Sequence, residues 1–201
     1  DWSSDGCSSD LSYTPPLLPL ARYRAMCDAV GLARTVQVNA SVYGYDNRAT
    51  LDVIAALGQH RALGVAGVRA DVSDDELKKL HAGGMRGARL STHVKGYGGT
   101  DLIDAIAARI APHGWHIQLH VANVNEIAQL ESKLMKLPSA IVFDHLGCVR
   151  GARDTVDGAG FQALLRILKA RDDCWVKISS WYHRSGVGPP AYARSEEHTS
   201  E

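Results

Sequence analysis

The chain has 201 residues, with 22 Lys+Arg against 22 Asp+Glu, a formal net charge of zero and 45% hydrophobic residues. The neutral balance gives no support for a general nucleic-acid or anionic-membrane surface, and the length suffices for one sizeable core. No apolar run approaches the ~18 residues of a membrane span, and no signal-peptide pattern opens the chain. Cys7, Cys27, Cys148 and Cys174 form neither a C-x-x-C pair nor a disulfide framework, which points to a reducing, cytoplasmic setting.

Residues 1–11 (DWSSDGCSSDL) and 195–201 are polar and follow neither the helix nor the strand period. With one mismatch at the first end and none over RSEEHTSE at the second, they resemble translated sequencing adaptor, so the natural segment is expected at 12–194, cut at both ends. Pro15 and Pro16 open an expected helix through Leu17, Leu20, Tyr23, Met26, Cys27 and Val30, stopped by Gly31. A strand over 35–38 follows, then a loop carrying Ser41, Tyr43, Asp46 and Asn47, and a helix presenting Leu51, Ile54, Ala55 and Leu57 on one face. Ser41 and Tyr43 offer hydroxyls to a ligand, whereas Asp46 and Asn47 suit the N-terminus of the next helix.

Next come a strand over 63–68 and a helix entered through the capping box Ser73-Asp74-Asp75-Glu76. Gly83-Gly84 closes that helix, and a strand over 86–90 leads through a Gly-rich loop to a helix over 101–112. Arg86 and Arg89 lie three apart on this strand, so they point to opposite faces, and one can face the interior.

The stretch 115–148 holds two apolar runs, Trp115-His116-Ile117-Gln118-Leu119-His120 and Ala140-Ile141-Val142-Phe143-Asp144-His145, each ending on a histidine. Between them Val124, Ile127, Ala128, Leu130, Leu134 and Leu137 keep helical spacing. In a parallel βαβ unit both strands end on one rim, so His120 and His145 are expected to face each other there. Histidine binds metals or moves protons near neutral pH. His116 and Gln118 share the face of His120 but suit the helix layer or barrel floor better. A long polar loop with Arg150 and Arg153, read as solvated charges, a helix with Phe161, Leu164, Leu165 and Leu168, and a strand over 175–178 complete the pattern.

Six strands, each but the last followed by a helix, imply a parallel sheet covered by helices, either doubly wound or a barrel. No G-x-G-x-x-G or P-loop is present, which disfavours nucleotide-binding versions. A complete (β/α)8 barrel takes about 250 residues, roughly two units more than this chain supplies.

Several segments together resemble the amidohydrolase-related family (amidohydrolase family 2), in its 2-pyrone-4,6-dicarboxylate lactonase-like branch. They are Ser41-Val42-Tyr43-Gly44-Tyr45-Asp46-Asn47 with Ala49-Thr50-Leu51, Gly84-Met85-Arg86-Gly87-Ala88-Arg89, Gly114-Trp115-His116, Phe143-Asp144-His145-Leu146-Gly147 and Trp175-Val176-Lys177-Ile178-Ser179. The resemblance implies an incomplete (β/α)8 TIM barrel with strands two to seven present. The family's His-x-His of strand one and Asp of strand eight have no counterpart here, so this fragment is expected to be inactive and, with two unpaired edges, not to form a stable soluble monomer.

The resemblance also assigns site residues. Arg89 becomes the inward arginine, holding a substrate carboxylate through its guanidinium fork. Lys95 falls on a second carboxylate-binding position, and His183 or Arg184 on a third. His145 corresponds to the histidine that polarises the scissile carbonyl as water attacks. His120 stands where metal-dependent relatives have a ligand and the dicarboxylate lactonase has Tyr, so His120 and His145 either join one divalent ion such as zinc or work without metal. His93, beside Lys95, is a lesser candidate.

The leading expectation for the parent is a hydrolase that opens a lactone or similar cyclic ester of a small di- or tricarboxylate in aromatic-compound catabolism. Two alternatives stand beside it. One is a metal-dependent decarboxylase or amidohydrolase on the same barrel; the other is a non-catalytic carboxylate-binding fragment. The expected partner is a small anionic carboxylate, with no nucleic acid and no membrane; the sequence does not determine an oligomeric state.

Overall fold

A computed structural model describes residues 18–93, 98–151 and 154–180. The strands are β1 (Thr35–Val38), β2 (Ala62–Ala66), β3 (Met85–Ser91), β4 (His116–His120), β5 (Ile141–Phe143) and β6 (Cys174–Val176). They form one sheet in the order of the chain, and every neighbouring pair is parallel. Helix α1 (Leu20–Ala29) precedes β1, and α2 (Arg48–Leu57), α3 (Asp74–Ala82), α4 (Ile103–Ile110), α5 (Asn125–Leu134) and α6 (Ala159–Ala170) are the crossovers. This is the order of a (β/α) barrel interrupted part-way round, not the reversed order of a doubly wound sheet.

Why one face carries the core follows from strand alternation. Ala88 and Leu90 of β3, Ile117 and Leu119 of β4, and Ile141 and Phe143 of β5 are fully or almost fully buried and meet the crossover helices in one cluster. The intervening residues Arg89, Ser91, Gln118, His120 and Val142 share the other face, as their register shows: Arg89 pairs with Gln118 and Ser91 with His120. Gly87 pairs with His116, and a Cβ there would come within 2.5 Å of that imidazole, so the glycine makes room for the ring.

Helix boundaries follow local chemistry. Ser73 Oγ accepts from Glu76 N–H at 3.2 Å, as the capping box predicts. Ala55 of α2 is exposed, while Thr50 and Ile54 are buried. The loop before α2 corrects one expectation. Asn47 does not cap with its side chain; its amide accepts from Gly67 N–H and donates to the Gly67 and Tyr45 carbonyls, tying the loop to the end of β2. Asp46 receives the Arg48 N–H instead. The Pro15-Pro16 helix start and both adaptor-like ends lie outside the described residues. No described helix is long and apolar enough to cross a membrane.

Candidate active site at the C-terminal rim

Arg89, His120, Asp144 and His145 meet where β3, β4 and β5 end. The Arg89 guanidinium reaches His120 Nδ1 at 3.2 Å and Asp144 Oδ2 at 3.4 Å. His120 and His145 lie with ring centroids 5.0 Å apart at 82°, and His93 lies 5.0 Å from His120 on another side. His145 Nδ1 is 2.9 Å from Ser179 Oγ.

The centre of the arrangement is Asp144, 2% exposed. Gln118 donates its amide N–H groups to both carboxylate oxygens at 3.0 Å, and Lys177 Nζ stands 3.2 Å from Oδ1. A buried carboxylate is tolerated only with such compensation, and here it gets two cations and an amide. Two positive charges against one negative leave the rim with a net positive charge among these groups, which suits an anionic ligand.

The strand ending on His145 is shorter than expected. β5 stops at Phe143, and the chain turns through four consecutive residues with positive φ: His145 (52°), Leu146 (58°), Gly147 (63°) and Cys148 (61°). Had the strand continued, alternation would have set His145 on the helix side and Asp144 on the inner side. Left-handed backbone, costly for three of the four, brings the His145 ring back beside His120. Leu146 N–H bonds the Lys177 carbonyl and fixes the turn against β6.

His120 is 6% exposed, and burial together with the adjacent Arg89 charge pushes its pKa down to about 3, so the ring is neutral. Its Nε2 is buried with no hydrogen-bond partner among the described residues. Burial also lowers the pKa of His116, on the floor below.

The other candidates are distributed as follows. Ser41 and Tyr43 form a short 3-10 turn just after β1, on the same rim, two strands from Arg89. Arg86 points to the helix layer and donates to the carbonyls of His81 and Met85 at 2.7 Å each. Arg150 is half-buried and its backbone N–H bonds Asp154. Lys95, Arg153, His183 and Arg184 lie outside the described residues. Sequence reasoning gave no role to Asp144, Lys177 or Ser179 and assigned Gln118 to the floor. One signal was available: with Val142 facing inward, alternation puts Asp144 inward as well.

His120, Asp144 and His145 offer ligand atoms within 4.8 Å of one another, close enough by distance to hold a divalent ion. The donor chemistry does not fit one. Both Asp144 oxygens already receive hydrogen bonds, two cations stand against them, and the Arg89 guanidinium occupies the Nδ1 side of His120.

A parallel βα repeat with histidines, a carboxylate and cations gathered at the strand C-termini defines a barrel-type protein with its chemistry on the rim. The chain belongs to the amidohydrolase family, whose profile matches residues 7–198. It is 34% identical over 181 residues to 2-pyrone-4,6-dicarboxylate hydrolase of Comamonas testosteroni, covering 89% of this chain and 58% of that protein. It is 30% identical over 175 residues to 4-sulfomuconolactone hydrolase of Hydrogenophaga intermedia, covering 86% and 56%. The crystal structure of a protein from Pseudomonas putida, described as a 2-pyrone-4,6-dicarboxylic acid hydrolase by assignment, superposes with a TM-score of 0.75 at 31% identity, covering 90% of this chain and 66% of that one. The chain thus spans a little over half the length of the two curated relatives.

Proposed function

We propose that the protein carrying this chain hydrolyses a lactone, or a similar cyclic ester, of a small di- or tricarboxylate. The observation that carries this reading is the positive rim in which Arg89 and Lys177 flank one buried carboxylate beside two histidines. The names of the two curated relatives, both hydrolases of cyclic esters bearing acidic groups, support it. The six strands are proposed as strands two to seven of an eight-stranded barrel, and the setting as cytoplasmic.

Arg89 takes a substrate carboxylate through paired N–H groups, with Lys177 adding charge at the same rim. Ser41 and Tyr43 hydrogen-bond the substrate from the β1 side, and Lys95 with His183 or Arg184 complete its anion contacts. His145, held by Ser179, donates to the scissile carbonyl oxygen and stabilises the charge that forms as water attacks. No step is assigned to a metal ion, in keeping with the donor chemistry of the trio.

Steady-state hydrolysis of 2-pyrone-4,6-dicarboxylate by the whole protein is the direct test. His145→Ala should lower kcat by about 10²–10³, the usual cost of one donor to a developing oxyanion, whereas Lys78→Ala on the exposed α3 surface should leave it unchanged. Equal rates in all three proteins would remove the reading.

A further inference from the structure

We infer that Arg89 fixes His120 as the tautomer with its proton on Nε2, making that nitrogen a hydrogen-bond donor to a ligand oxygen and not a metal ligand. A guanidinium has five N–H donors and no acceptor, so the nitrogen it approaches must offer a lone pair. That nitrogen is His120 Nδ1, 3.2 Å from Arg89 Nη2. Because the buried ring is neutral, its single proton then sits on Nε2, on the opposite edge of the imidazole.

The orientation of Arg89 is itself over-determined. Asp144 Oδ2 lies 3.4 Å from the same Nη2, and Gln118 and Lys177 hold Asp144 in turn. The tautomer is thus set by a chain of contacts running from the ends of β6 and β5 through β3 to β4, and Arg89 acts on His120 as a positioning residue. At the far end, Nε2 is a buried donor without a partner among the described residues, and buried polar groups in native proteins are ordinarily satisfied. A ligand oxygen at this rim supplies what is lacking.

The same geometry opposes a cation. Binding through Nε2 would need the proton moved to Nδ1, where it would face a guanidinium N–H, donor against donor. Binding through Nδ1 would need Arg89 displaced and two positive charges brought together. The nature of the oxygen, a carboxylate or carbonyl of the substrate, rests on the function proposed above; the tautomer does not.

The test is magic-angle-spinning NMR of the 201-residue chain with ¹⁵N-histidine and ¹⁵N-arginine, which reads an associated sample as well as a monomer. Expected are a pyrrole-type signal for Nε2 and a pyridine-type signal for Nδ1 of His120, assigned through the Arg89 Nη contact or by loss in His120→Gln. Arg89→Met should shift the ring towards a tautomer mixture. Isophthalate, a planar dicarboxylate without a scissile ester, should move the Nε2–H proton signal, and equimolar zinc chloride should leave the His120 resonances in place. A pyrrole-type Nδ1, a stoichiometric zinc-induced shift, or no response to saturating isophthalate would overturn the inference. The tautomer and zinc readouts need no turnover, so failure of the proposed hydrolysis would leave their outcome standing.

Discussion

Asp144 organises the rim one residue at a time. Arg89 reaches it from β3 and Lys177 from just past β6, and Gln118 of β4 spans both oxygens, so removing its charge leaves two cations without their shared counter-charge at a buried position. Asp144→Asn, nearly unchanged in shape, should therefore destabilise the whole protein that carries this chain by about 2–4 kcal/mol, less than a fully buried pair because Lys177 is one-third exposed. Urea unfolding with an unchanged m-value would measure it; a shift below about 0.5 kcal/mol would mean that solvent screens the pair. This residue was readable as part of an apolar run, but its role was not. The two histidines ending the apolar runs drew the assignment, and Asp144 gained significance only from the Arg89 and Lys177 side chains of distant segments.

At the scale of elements, βα alternation was almost completely legible. All six strands appear where periodicity places them, within about two residues, because apolar alternation and Gly or capping boundaries are local signals. Two features were not local. β5 ends before His145 because the left-handed turn is stabilised by the residue that follows β6, the Lys177 carbonyl accepting from Leu146 N–H. The approach of α6 to the start of α5 is the other. A Cβ at Gly160 would lie 2.6 Å from the carbonyl carbon and oxygen of Val124 and 2.8 Å from Asn125 N, all backbone atoms that cannot rotate away. Gly160→Ala should therefore cost about 1–3 kcal/mol by overpacking, read as a lower thermal midpoint of the whole protein, although alanine is the better helix former. A raised midpoint would show that the two helices separate freely.

For the molecule as a whole, the sheet has two edges. Among the described residues β1 pairs only with β2, and β6 only with β5. The inner faces of these edge strands expose Val36 (57%) and Trp175 (54%). Unpaired parallel edges carrying apolar side chains pair with other chains. The 201-residue chain, expressed alone, should elute as oligomers or aggregates by size-exclusion chromatography with light scattering, and Trp175→Lys should shift the distribution towards smaller species. A monodisperse monomer with a cooperative thermal transition would contradict this.

The sequence by itself determined the order and type of the elements, the parallel architecture, the inward choice between Arg86 and Arg89 once the family resemblance was added, and the placing of His120 and His145 on one rim. Each rests on period, spacing or motif, which are properties of neighbouring residues. Only the tertiary structure decided that Asp144 is the hub, that Lys177 and Gln118 hold it, and that Arg89 stands on the Nδ1 edge of His120. Those contacts join residues 26 to 55 positions apart, and which edge of an imidazole faces a cation is set by packing across strands.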